Sequence, residues 1–173
     1  MMSRLRRIEL TGRYFFITTN LAKRGPALSP TERDICLGEL GRMRTRRKFS
    51  LFAYVIMPNH AHLLVWTVES LLPELMKDWK SATGFAIAKT RCERGAIWQP
   101  RYFDFILRRG ADFGKKFEYI HNNPVTAGLV HRPEDWTWSS AAFYVKKTVV
   151  PVIPDIFDVP VDPNEPLWPV PWR

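Results

Sequence analysis

The stretch VIMPNHAHLLVW, residues 55–66, places His60 and His62 one residue apart in a run that otherwise reads as buried apolar strand. Side chains of a strand alternate between its faces, and positions i and i+2 lie about 6.6 Å apart on the same one. The two imidazoles therefore share a face while Ala61, Leu63 and Val65 turn to the other. Two imidazoles at that spacing can bend onto one divalent ion, although histidines satisfied within a core or resting on a surface give the same pattern. A second candidate is ADFGKKFEYIHNNP, residues 111–124. At helical spacing Phe113, Phe117 and Ile120 make an apolar stripe, Tyr119 falls off it, Asn123 shares Tyr119's face, and Lys115 and Lys116 precede by one turn. A tyrosine beside a ligand-type amide and two lysines is placed to meet a phosphate. A half-exposed tyrosine on an amphipathic helix is the ordinary alternative.

The elements that must hold these residues can be read from pattern and punctuation. GRYFFITTN, residues 12–20, is aromatic and β-branched and predicts a strand. In SPTE, Ser29 occupies an N-cap, Pro30 the first helical position and Glu32 the third residue after the cap, a capping box. The helix that follows carries Cys36, Leu40 and Met43 at i, i+4 and i+7 and ends in the basic run Arg42, Arg44, Arg46, Arg47 and Lys48. That run reads equally as a solvated helix end complementing the dipole or as a phosphate contact. Residues 50–57 predict a second strand, Pro58-Asn59 a turn, and His60 to about Thr67 a third strand. A second helix opens at Ser70 with Leu72, Leu75, Met76 and Trp79 on one stripe; RYFDFILRR, residues 101–109, predicts a fourth strand. A third helix begins at Asp112 and is expected to stop near Asn123, because Pro124 biases the residue before it away from helix. The order β-α-β-β-α-β plus a helix is the ferredoxin-like split βαβ plan, an α+β fold with an antiparallel sheet and two helices on one face. The other face is left for the third, Tyr119-bearing helix.

The chain of 173 residues suits one domain with an appendage. We read residues 1–145 as that domain and 146–173 as a proline-rich acidic tail, since seven of the fourteen prolines fall between Pro151 and Pro171. No 18-residue apolar run is present and the N-terminus lacks a secretory h-region, so no membrane association and a cytoplasmic location are expected. Cys36 and Cys92 have no C-x-x-C partner, which argues against a disulfide framework or zinc cluster. The formal charge of +9 is uneven: residues 151–173 carry −3, leaving +12 on the first 150. A body that basic most often meets a polyanion, nucleic acid above all. The opposite charge of the tail raises the expectation that it lies over the basic surface and competes with DNA.

VIMPNHAHLLV, WQPRYFDF, YIHNNPVTAGLV and WSS, in this order and at these separations, resemble the REP-associated tyrosine transposases, relatives of the single-tyrosine HUH transposases of insertion sequences. The likeness covers roughly residues 10–142. It implies a ferredoxin-like fold and carries roles onto matching positions: the HUH pair onto His60 and His62, the nucleophile onto Tyr119, and the third metal-ligating side chain onto Asn123. Where relatives often read FDH, this chain has Phe103-Asp104-Phe105, so no auxiliary histidine is expected there.

On that resemblance the expected reaction is metal-dependent cleavage and rejoining of single-stranded or hairpin DNA through a 5′-phosphotyrosine intermediate. Two neutral imidazoles and an amide oxygen suit Mg²⁺ or Mn²⁺, with the nitrogen ligands tilting preference towards Mn²⁺. Lys115 and Lys116 would favour the phenolate form of Tyr119. The implied partner is a palindromic DNA element folding into a hairpin, and candidate DNA contacts are Lys115, Lys116, Arg101, Gln99, Arg46, Arg47 and Lys80. For Trp98 and Tyr102, packing at the start of a strand is an equal reading, and TWSSAAFY is expected to cap the core. A non-cutting hairpin-binding descendant of a transposase is the alternative function; replication initiators and relaxases, which often carry a second tyrosine near the first, fit less well. Monomer and homodimer both remain open.

Overall fold

The computed structural model describes residues 12–22, 26–46 and 49–156. Four strands, β1 (Gly12–Asn20), β2 (Ser50–Ile56), β3 (His60–Val68) and β4 (Phe103–Leu107), form one antiparallel sheet in the order β2-β3-β1-β4. Helices α1 (Pro30–Arg46) and α2 (Leu72–Arg91) connect β1 to β2 and β3 to β4, and α3 (Gly110–Thr126) follows β4. This is the ferredoxin-like arrangement expected from the element order.

β1, β2 and β3 are buried on both faces, which is why they read as nearly continuous apolar runs. Phe15, Ile17, Ala61, Leu63 and Val65 join Cys36, Leu40, Leu75 and Trp79 of α1 and α2 in one core. Tyr14, Phe16, Leu64 and Trp66 join Phe113 and Ile120 of α3 in the other. A one-residue irregularity at Phe52 shifts the pairing from Leu51↔Val65 to Ala53↔Leu64.

The capping box forms as its spacing requires: the Ser29 N–H donates to Glu32 Oε2 at 2.7 Å and the Glu32 N–H to Ser29 Oγ at 3.3 Å. Glu32 is also clasped by Arg91 at the far end of α2, Nε to Oε1 at 2.5 Å and Nη2 to Oε2 at 2.9 Å. Their side chains are only 5% and 8% exposed. The guanidinium holds the carboxyl below its ordinary range.

Three boundaries differ from the sequence expectation. A 3₁₀ turn at Glu69–Leu71 precedes α2, which therefore starts at Leu72. β4 is shorter than residues 101–109 because the chain bulges away from β1 before it. The bridge Leu21↔Trp98 and the pair Thr18↔Phe103 enclose four residues on one strand against two on the other, and Pro100 in that excess has no N–H for the ladder. Helix α3 does not stop at Asn123 but runs to Thr126 with Pro124 inside it. Its final turn closes without the missing proline donor: the Ala127 N–H donates to Asn123 O at 3.0 Å, Gly128 to Val125 O and Leu129 to Pro124 O, each at 2.9 Å. Gly128 sits at φ +69°, the left-handed conformation that ends such a turn.

Residues after α3 seal the outer edge of β2. The Ile56 N–H donates to Trp138 O, Ser140 N–H to Tyr54 O, and Tyr54 N–H to Ser140 Oγ. WSS thus caps the sheet, as expected, and α4 (Ala141–Val145) follows. The described start of the tail holds no helix or strand and is anchored: Val152 enters the core beside α1, Asp155 N–H donates to Leu51 O at 2.7 Å, and the Asp155 carboxylate takes Leu51 N–H and the Arg44 guanidinium. The remaining tail acids, Asp158, Asp162 and Glu165, lie outside the described residues. Among the described residues no helix is long and apolar enough to cross a membrane.

Removing one partner of the Glu32–Arg91 pair leaves the other charged and buried. The substitution Arg91→Met is expected to cost about 3 kcal/mol, read as a lowered urea midpoint. Adding Glu32→Leu should recover much of the loss.

Candidate active site

β3 carries His60 and His62 on the α3 side, as strand alternation requires, with Ala61 and Leu63 in the opposite core. His62 pairs with Thr18 in the ladder; its ring is 3% exposed, stacks on Phe16 with centroids 5.3 Å apart, and its Nδ1 lies 2.8 Å from Thr18 Oγ1. His60, at the strand's first position, has Nδ1 2.6 Å from Asn59 Oδ1 in the turn before it. The two rings are 4.7 Å apart between centroids.

Helix α3 brings the second half of the site. Phe113, Ile120 and Pro124 face the sheet. His121 is buried too, its Nε2 2.8 Å from Ser140 Oγ, which ties the helix to the strip sealing β2. The opposite pitch of the helix turns Asn123 between the imidazoles, Oδ1 3.2 Å from His60 Nε2 and Nδ2 3.3 Å from His62 Nε2. One turn earlier, the Tyr119 ring lies 5.2 Å from the His62 ring and is 49% exposed. Lys116 Nζ sits 4.4 Å from the Phe16 centroid and 5.5 Å from that of Tyr119.

Burial, with the neighbouring His60 and Lys116 charges, pushes His62 down from 6.5 to about 3. His60 is also lowered, mainly by burial. Both rings are thus neutral at pH 7 with a lone pair to offer. If Nδ1 of His60 donates to Asn59, its Nε2 is an acceptor facing Asn123 Oδ1, another acceptor, while Asn123 Nδ2 donates to His62 Nε2. In that arrangement His60 Nε2 and Asn123 Oδ1 face each other as acceptors, a pair that a cation between them would satisfy. Among the described residues no group of three or more His, Cys, Asp and Glu could hold a metal, and the polar side chain that meets both imidazoles is the Asn123 amide.

The remaining sequence candidates divide. Lys115 is exposed on α3. Arg101 is exposed and Gln99 partly so, both at the imidazole end of the sheet, but the Gln99 side chain donates to Leu21 O at 3.1 Å. Lys80 caps the carbonyls of Gln99, Pro100 and Arg101 at 2.5, 3.0 and 3.4 Å. Arg46 is exposed at the last residue of α1, at the other end of the sheet from the histidines, and Arg47 lies outside the described residues. Trp98 is packing: its Nε1–H donates to Thr83 Oγ1 at 2.8 Å and its ring rests on Trp79. Thr18 and Asn59, which orient the two imidazoles, were not singled out from sequence; the signal for Thr18 was a hydroxyl on the strand face that the pairing turns towards His62.

A four-stranded split βαβ sheet with an H-x-H strand facing a tyrosine helix defines a class, and family comparison identifies it. The sequence profile of the IS200-like transposases matches residues 14–123, and the chain belongs to that family. More particularly, it is similar to the REP-associated tyrosine transposases: it is 29% identical to that of Escherichia coli K12 over 152 residues, 87% of this chain and 90% of the relative. It is 31% identical over 121 residues to a Haemophilus influenzae protein provisionally assigned to the same group, 60% of this chain and 65% of the relative. A solved structure of a REP-associated tyrosine transposase bound to a REP hairpin superposes with a TM-score of 0.68 at 26% identity, covering 95% of this chain and 98% of that one.

Burial also lowers His121, to about 4. Histidines of the unfolded chain titrate near ~6.5, so below that pH the unfolded state takes up protons that the fold refuses. With chelator present, stability should be full above about pH 6.5 and fall as the pH drops towards 4. Denaturant titrations across this range should show a flatter slope for His121→Phe than for the native chain.

Proposed function

We propose that the protein cuts and rejoins one strand of hairpin DNA through a 5′-phosphotyrosine intermediate, with Tyr119 as nucleophile. The observation that carries this reading is the convergence of His60 Nε2, His62 Nε2 and the Asn123 amide within one turn of an exposed tyrosine. The other tyrosines are poor nucleophile candidates. Tyr14 and Tyr54 are buried, the Tyr144 hydroxyl donates to Phe52 O, and Tyr102 is half-buried beside the loop before β4. The hairpin bound by the structural relative supports the choice of DNA, and the basic body of this chain suits it.

His60, His62 and Asn123 would hold Mg²⁺ or Mn²⁺. Such an ion, when bound, supplies polarisation of the scissile phosphate and neutralisation of charge gathering in the transition state. The chain's own groups do the rest. Thr18 and Asn59 fix the imidazoles so that both Nε2 atoms point at Asn123. The Lys116 ammonium, close to the Tyr119 ring, attracts the phosphate to the nucleophile. Tyr119 Oη attacks phosphorus, the bond from phosphorus to the 3′ oxygen breaks, and that oxygen leaves as a 3′-OH with a proton from solvent. The phosphodiester is conserved in the protein–DNA link, so a 3′-OH attacking phosphorus restores DNA and frees the tyrosine.

With a labelled single-stranded hairpin and Mn²⁺, a covalent adduct should appear on a denaturing gel and vanish with chelator. Tyr119→Phe should abolish it while leaving hairpin affinity within about twofold; an adduct that persists would assign the nucleophile to another tyrosine. Hairpin binding without adduct under any metal condition would instead identify a non-cutting binder. Thr18→Val, which frees the His62 ring, should raise the Mn²⁺ concentration needed for half-maximal adduct by about 10- to 100-fold.

A further inference from the structure

We infer that Phe103 and Phe105 form a stacking site for an unpaired nucleobase flanking the phosphate held by the active site, an inference that rests on the strand-transfer reading. Both residues belong to β4, pair with Thr18 and Phe16 of β1, and therefore face the same side of the sheet as His62 and Tyr119. They are 57% and 44% exposed, which is unusual for phenylalanines on a sheet whose other strands are buried on both faces. Helix α3 covers β2 and β3 on this side and leaves this end of β4 bare.

The chemistry around the rings selects the occupant. Lys116 Nζ lies 5.8 Å from the Phe105 centroid while also capping Phe16, so one ammonium spans the nucleophile and the aromatic strip. Arg101 precedes the strand and Arg108 and Arg109 follow it, all three exposed. Rings set among cations suit single-stranded nucleic acid, in which bases stack while phosphates meet the charge. Side chains two apart on a strand stand about 6.6 Å from one another, roughly twice the spacing of stacked planes, so one base fits between the rings. A second copy of this chain laid over the strip would set the same cations against each other. Base stacking on an aromatic ring carries no sequence code, so the site would position the strand without choosing its sequence.

The test reads binding and keeps chelator present throughout. Fluorescein-labelled dT12 and an abasic phosphodiester chain of equal length are titrated with the full-length protein at low salt. The native protein should bind dT12 about tenfold more tightly than the abasic chain, within the range for stacking of one base. The double variant Phe103→Ala/Phe105→Ala should bring that ratio near one with abasic affinity unchanged, and Phe103→Tyr/Phe105→Tyr should keep it. A ratio unaltered in the alanine variant, or equal loss on both probes, would overturn the inference. So would a native protein that sediments as a dimer and an alanine variant that sediments as a monomer, since a second copy would then own the strip. Failure of the strand-transfer reading appears separately, as absence of the covalent adduct with Mn²⁺.

Discussion

The register of β3 is the constraint on which the site depends. Because β3 is buried on both faces, Ala61, Leu63 and Val65 must enter the core built by α1 and α2, and that requirement alone aims His60 and His62 at the opposite side. A slip of one residue would bury two imidazoles among leucines and bring aliphatic side chains to α3. The apolar packing that stabilises the fold and the polar arrangement that could perform chemistry are thus two sides of one alternation. Pairing of His62 with Thr18 adds the hydroxyl that orients the ring.

Helix α3 has to be held as firmly as the strand, since Asn123 and Tyr119 both ride on it. Its fastening comes from the sheet-facing stripe and from His121, whose contact with Ser140 continues to the Tyr54 backbone. His121 lies between Tyr119 and Asn123 in sequence and projects the other way, so the strip that seals β2 also sets the pitch of the tyrosine. The run to Thr126 past Pro124 keeps Asn123 inside regular helix, where its spacing of four residues from Tyr119 is enforced rather than frayed.

Much of this was legible in the sequence because it rests on local rules. Strand alternation gave the shared face of the histidines, helical spacing gave the common face of Tyr119 and Asn123, and the capping box at Ser29 and Glu32 marked the start of α1. The family and its fold followed from the same motifs. What stayed hidden was set by distant partners. The Pro124 rule failed because a proline in a last turn forfeits one donor while the turn after it still closes, through Ala127, Gly128 and Leu129 onto the carbonyls of Asn123, Val125 and Pro124. The strand at 101–109 shortened because two extra residues, in a stretch holding Pro100, carry the chain away from β1 before Phe103. Lys80 and Gln99, basic or polar by composition, are spent on carbonyls of the fold, whereas Phe103 and Phe105, apolar by composition, stand in solvent.

The two borders of the sheet are treated unequally. β2 is closed by residues 138–140 and by Asp155, while among the described residues no strand lies along the outside of β4. A ribbon with only one adhesive margin cannot propagate. Two molecules joined margin to margin would use both open edges and leave neither for strand addition by a third.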